Sequence, residues 1–194
     1  MPISTTLSPT TLDPALLGIC HWMGYRHQLY RHYPLTEGAL VSELAGLLSA
    51  HLDSSLSVVL EQSYSTLAPG GVAAERADIV IGPRSTLSEL GRRTVVTPIA
   101  AIEVKRSKYN DWSKDLAKLS RVWSTQADWT AWILLLDQAI SMQDAENRGW
   151  VGPNGRASRR RQSWKNLPYV VRRVTRVRSA HANTVHRAVL LELV

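Results

Sequence analysis

Ala77-Asp78-Ile79-Val80-Ile81 and Ala100-Ala101-Ile102-Glu103-Val104-Lys105 decide how this chain folds. Both are short apolar runs of strand type that carry charge. A strand sends alternate side chains to opposite faces, so Glu103 and Lys105 share one face while Ile102 and Val104 share the other. Unpaired charge inside a buried strand costs several kcal/mol. A carboxylate and an ammonium on one face of such a strand therefore need a chemical reason, and metal-dependent phosphodiester chemistry supplies one.

The surrounding sequence predicts layers of helix on a sheet. Asp13-Pro14 reads as an N-cap followed by proline at the first helical position, opening a helix that runs to about Tyr33 and ends at Pro34. A second helix spans about Thr36 to Leu52, with Leu40, Val41, Leu44, Leu47 and Leu48 as its apolar face. At ~100° per residue Glu37 falls near the centre of that face and Glu43 well to its side. Leu56 to Tyr64 reads as a strand carrying Glu61, whose side chain is expected in solvent. Asp78 to Ile81 is the next strand, and Thr94 to Arg106 a long one containing Glu103 and Lys105. Asn110 or Asp111 caps a helix with an apolar stripe at Trp112, Leu116, Leu119 and Trp123. Trp129 to Leu136 is a buried strand, and Ala145 to Asn166, rich in Gly, Arg and Ser, a loop. Tyr169 to Val177 and Val185 to Val194 are a closing strand pair joined through a turn at Ala182-Asn183. The order implies an α/β arrangement around a mixed sheet.

With 194 residues, 44% of them apolar and 20% charged, the chain suits one cored domain with an extension. The single cysteine, Cys20, excludes an internal disulfide and a Cys-rich zinc site. A reducing, cytoplasmic setting is the expectation, since the N-terminus lacks a signal-peptide pattern and no apolar run approaches the ~20 residues of a membrane span. The six histidines show no ligand-type spacing, and there is no Gly-x-Ser-x-Gly or Walker loop, so serine-hydrolase and NTPase readings lack support.

The formal charge is +7, unevenly spread. From Asn147 to Leu191 there is no Asp or Glu, yet the segment holds Arg148, Arg156, Arg159, Arg160, Arg161, Lys165, Arg172, Arg173, Arg176, Arg178 and Arg187. Such a block favours a polyanion partner over a mixed-sign solubilising surface. Arg159, Arg160 and Arg161 near Trp164 can track a nucleic-acid strand with the indole stacked on a base. Lys108, Lys114, Lys118 and Arg121 can hold a phosphate backbone by charge. An ordinary solvated face remains the alternative for both groups.

Phosphodiester hydrolysis needs a divalent cation to polarise the phosphoryl oxygen and acidify water. Mg²⁺ takes hard oxygen ligands and keeps several waters, so one or two carboxylates suffice. Asp78 and Glu103 on neighbouring strands can meet around one ion, the Val104 carbonyl can complete the protein ligands, and Lys105 can reach the attacking water.

Ala-Asp-Ile-Val-Ile followed by Ile-Glu-Val-Lys resembles the motif of the PD-(D/E)xK nuclease superfamily, the restriction-endonuclease-like fold. The resemblance covers about Thr36 to Leu136 and extends to the order of elements: helix with Glu, strand, strand with Asp, strand with Glu-x-Lys, helix, strand. Ala77 stands where the family often has proline. A Gln-x-x-x-Tyr pattern after Lys105 is absent, unlike the helicase-associated exonuclease branch. The resemblance implies that Asp78 and Glu103 bind Mg²⁺ or Mn²⁺, that Lys105 is catalytic, and that Glu37 is the first-helix glutamate facing the site. A first-turn glutamate also gains ~0.3–1 kcal/mol from the helix dipole with no catalytic role, which leaves Glu37 open between the two.

The implied fold is thus a restriction-endonuclease-like core, residues 36–194, with an N-terminal helical extension over residues 1–35 and a C-terminal strand pair. The implied activity is Mg²⁺-dependent endonucleolytic cleavage, of DNA first and RNA second, by a homodimer or a subunit of a larger nuclease complex. Two other readings are a catalytically inactive nucleic-acid-binding or scaffold protein that keeps the fold, and a protein–protein module whose basic face meets an acidic partner.

Overall fold

A computed structural model describes residues 7–30, 35–67, 75–84, 87–88, 94–95, 97–106, 112–123, 129–141, 143, 161–164, 167–179 and 184–194. Ser8 accepts from the Thr10 N–H and opens a 3-10 turn, Pro9–Leu12, that runs into helix α1, Asp13–Leu29. Asp13 is therefore the first helical residue rather than the cap, and its carboxylate pairs with Arg173. Residues 31–34, where the helix was expected to end, lie outside the described residues. Helix α2, Glu37–His51, has the predicted face: Leu40, Val41, Leu44 and Leu48 are buried, and the Thr36 hydroxyl caps it by accepting from Ala39 N.

Strand β1, Leu56–Ser63, stops one residue before Tyr64, which opens the short helix α3, Tyr64–Leu67. Glu61 is exposed, as expected, and at φ 54° is the only non-glycine with positive φ among the described residues. Strand β2 is Arg76–Pro83. The long strand expected from Thr94 is broken in two. Leu87–Ser88 (β3) and Thr94–Val95 (β4) form a separate ribbon, and the sheet resumes at β5, Ala100–Arg106. Pro98 lies in the gap, where a residue without an N–H cannot extend a ladder.

Helix α4, Ser113–Trp123, leads to β6, Thr130–Ser141, which continues past the expected end at Leu136. Asp137, just past that end, stays in the strand with its carboxylate paired to Arg187, its register partner on the next strand. Strand β7, Arg161–Trp164, lies in a segment expected to be loop, and pairs with the start of β8, Leu167–Arg178. Strand β9, Thr184–Leu193, completes the set. The turn expected at Ala182-Asn183 lies outside the described residues.

The seven-stranded sheet is open and mixed, in the order β1-β2-β5-β6-β9-β8-β7. Its parallel pair is β5 with β6, joined through α4, and the other neighbours are antiparallel. One face is covered by α1 and α2. Leu16, Ile19 and Met23 with Leu40, Leu44 and Leu48 pack on Ile79, Ile81, Ile102, Val104 and Trp132. The other face is covered by α3 and α4, with Tyr64, Trp112, Leu116 and Leu119 on Val80, Ala101, Ile133, Leu135, Val189 and Leu191. Trp112 and Trp132 are thus core residues, as expected, and Trp123 packs against the α4-side core. No helix among the described residues is long and apolar enough to cross a membrane.

Candidate active site

The antiparallel register of β2 and β5 pairs Ile81 with Ala100, Val80 with Ala101 and Ile79 with Ile102. One step further brings Asp78 level with Glu103. The ladder stops there, and the Val104 N–H donates to Asp78 Oδ2 at 2.7 Å. A strand residue turns its N–H and C=O to the same edge, so the Val104 carbonyl also faces the Asp78 side. The two charged runs of the sequence therefore meet where the strands part.

Glu103 is fully buried. Its Oε1 accepts from the Tyr64 hydroxyl and pairs with the Lys118 ammonium at 2.9 Å. Its Oε2 is buried and has no hydrogen-bond partner. Lys105 leaves the same strand on the same face and reaches the rim between the two helical layers. There its Nζ lies 2.6 Å from Glu37 Oε1, offered by the first turn of α2, and 3.7 Å from Asp115 Oδ1 on α4. Asp115 also stands 3.6 Å from Lys118 Nζ and so bridges the two lysines. Lys118 is further held by the Arg76 carbonyl at 3.3 Å and sits over the Tyr64 ring, 5.3 Å from its centroid.

Four carboxyls, Glu37, Asp78, Glu103 and Asp115, thus share two ammoniums. Burial, then the charge of Asp78, pushes Glu103 up to about 8, against the opposing pull of Lys118 and Tyr64. Burial also raises Asp78, although the Val104 N–H and Lys105 oppose it. Burial acts against the charged form of Lys105 but is outweighed by Glu37, Asp78 and Asp115, and the ammonium is strengthened. Lys118 is strengthened in the same way by Glu103 and Asp115. Tyr64 is held as the neutral phenol by burial and by the charge of Glu103. Excess carboxylate under desolvation is relieved by added positive charge, whether protons or a cation.

The fit to a hard cation rests on the buried Glu103 Oε2, which no donor group reaches, and on Asp78, close enough for the two carboxyls to share a proton. Among the described residues no group of three His, Cys, Asp or Glu side chains is placed to hold an ion. A site here would consist of Asp78, Glu103, the Val104 carbonyl and water, a set that Mg²⁺ accepts and a soft metal does not.

The expected residues come together only in part. Asp78, Glu103, Val104, Lys105 and Glu37 converge. Lys118, expected to reach outward to phosphate, turns inward onto Glu103. Lys114, one turn before Lys118, is exposed. Lys108, Arg159 and Arg160 lie outside the described residues, as does the side chain of Arg161 in β7. Tyr64 and Asp115 belong to the cluster and were missed. The signal for Asp115 was its place three residues before Lys118, on one helix face.

The basic second half is also less free than its composition suggests. Arg172 pairs with Glu192, Arg173 with Asp13, and Arg187 is fully buried with Asp137. Arg187 therefore adds nothing to an outward-facing basic surface. No family model, curated protein or solved structure matches this chain.

Proposed function

We propose that this protein is a Mg²⁺- or Mn²⁺-dependent endonuclease that hydrolyses phosphodiester bonds in DNA. The observation that carries the reading is the buried Glu103 Oε2, which no donor group reaches, beside Asp78, with Lys105 leaving the same strand on the same face. The succession α2, β1, β2, β5, α4, β6 supports a restriction-endonuclease-like core, because it sets the acidic strands edge to edge and brings a helix to each face.

In this reading Asp78 and Glu103 hold the ion, with the Val104 carbonyl as a main-chain ligand. The chemistry supplied by such an ion is polarisation of a phosphoryl oxygen and acidification of water. Lys105 orients the water and offsets charge gathering on the phosphate. Glu37 and Asp115 fix the Lys105 ammonium from two sides, so the group is in place before substrate arrives. Water adds to phosphorus and one P–O ester bond breaks, leaving a phosphate monoester and a hydroxyl.

The test is cleavage of supercoiled plasmid DNA in Mg²⁺, with RNA of the same sequence in parallel. Lys105→Ala is expected to keep the fold and DNA binding and to lose cleavage. Undiminished cleavage by that variant would sink the assignment. A second reading has one observation in its favour. The cluster is already internally paired through Lys105–Glu37 and Lys118–Glu103, as in a retained fold that binds nucleic acid without cutting. It predicts salt-sensitive DNA binding and no cleavage in either Mg²⁺ or Mn²⁺.

A further inference from the structure

We propose that Tyr64 and Lys118 are positioning residues that restrict Glu103 to one-oxygen coordination and so set the site for a small octahedral cation against Ca²⁺. The inference rests on the reading of Asp78 and Glu103 as a metal pair, and goes beyond it to what the ion must be.

Each of the two carboxyls has one oxygen already committed. Glu103 Oε1 receives the Tyr64 hydroxyl and the Lys118 ammonium at 2.9 Å. Asp78 Oδ2 receives the Val104 N–H at 2.7 Å. Each donor is itself fixed. Tyr64 is fully buried against the α4-side core, and Lys118 is tied to the Arg76 carbonyl at 3.3 Å and to Asp115 at 3.6 Å. The oxygen left on Glu103 is buried and has no partner.

Ca²⁺ takes six to eight oxygens and commonly chelates a carboxylate through both of its oxygens. Mg²⁺ accepts single oxygens in an octahedron and fills the rest with water. A carboxylate whose second oxygen is held by a phenol and an ammonium suits the second ion and not the first. Groups that hydrogen-bond a ligating carboxylate typically contribute 10–100-fold to metal affinity.

The experiment is titration calorimetry of the full chain with MgCl₂ and with CaCl₂, read as the ratio of the two affinities. The wild type is expected to bind Mg²⁺ more tightly than Ca²⁺. Tyr64→Phe removes one donor without changing charge, and its Mg²⁺ affinity is expected to fall about 10-fold, with a smaller change for Ca²⁺. Lys118→Met removes a positive charge, so both cations should bind more tightly. Ca²⁺ should gain more, because Glu103 Oε1 is then held by the Tyr64 hydroxyl alone. Lys118→Arg keeps donor and charge and should restore the wild-type ratio. If Tyr64→Phe does not fold, the Lys118 pair of variants carries the test alone. A wild-type ratio in both Tyr64→Phe and Lys118→Met overturns this proposal and leaves the nuclease reading standing. A wild type that binds neither cation overturns both.

Discussion

Two charged clusters are buried on the same face of the sheet, and they are built differently. Asp137 and Arg187 sit opposite each other on β6 and β9, both fully buried, one acid against one base, with two guanidinium nitrogens on one carboxylate oxygen. At the parting of β2 and β5, four carboxyls share two ammoniums, around a fully buried glutamate. In the first cluster one acid faces one base, and the contrast lies in that ratio. The second is short of positive charge, and burial, joined at Glu103 by the charge of Asp78, raises the pKa of both Asp78 and Glu103. Burial of charge alone does not mark a site; imbalance does.

The largest expected effect comes from breaking the first cluster. Arg187→Met takes the guanidinium away from the buried Asp137 carboxylate and should cost about 3–5 kcal/mol, seen as loss of cooperative folding in urea titration. The double variant Asp137→Leu with Arg187→Met should recover most of that loss. If it does not, the pair does more than neutralise itself.

Next is the second cluster's activity. Lys105→Ala should lower Mg²⁺-dependent plasmid cleavage by about 10²–10³-fold, the range for losing one preorganised charge at a reacting centre. Circular dichroism should show the fold kept, in contrast to Arg187→Met.

A smaller effect tests the charge imbalance itself. Folded Glu103 titrates at about 8 against an ordinary value of 4.5, so the folded state binds the proton more tightly than the unfolded chain. Its contribution to stability is full below 4.5 and is lost as pH rises through about 8. Glu103→Gln has no such proton to lose. In EDTA at about pH 9 it should melt above the wild type, by a margin worth about 2 kcal/mol, and the gap should close towards acid. The same substitution should abolish cleavage. Equal melting at both pH values would mean that Lys118 and Tyr64 fully neutralise the cluster.

The smallest effect is expected at Glu37. Its carboxylate is about one-third exposed and shares Lys105 with Asp115, so Glu37→Gln should change stability by less than about 1 kcal/mol. It should lower cleavage only modestly unless Glu37 also meets substrate or water. A loss as deep as that of Lys105→Ala would promote it to a catalytic residue.

Strand alternation by itself put Glu103 and Lys105 on one face, because a period of two leaves no freedom once the run is a strand. Helical periodicity put Glu37 on the inner stripe of α2, and the apolar runs gave the two helical layers. The single long strand from Thr94 was misread because apolar composition does not show a break; the missing N–H of Pro98 is a local fact with a topological result. The strand from Trp129 runs on past Leu136 because the partner that carries Asp137 lies fifty residues away on β9. Only the tertiary structure decided Tyr64, Asp115 and Lys118. On α4 the spacing of Lys114, Lys118 and Arg121 suggested one basic face. Packing leaves Lys114 exposed, turns Lys118 inward and sends Arg121 to Glu75. A sequence fixes angles around a helix's own axis, but not how that helix is rotated against a sheet, and a lysine stem is long enough to carry its charge either way.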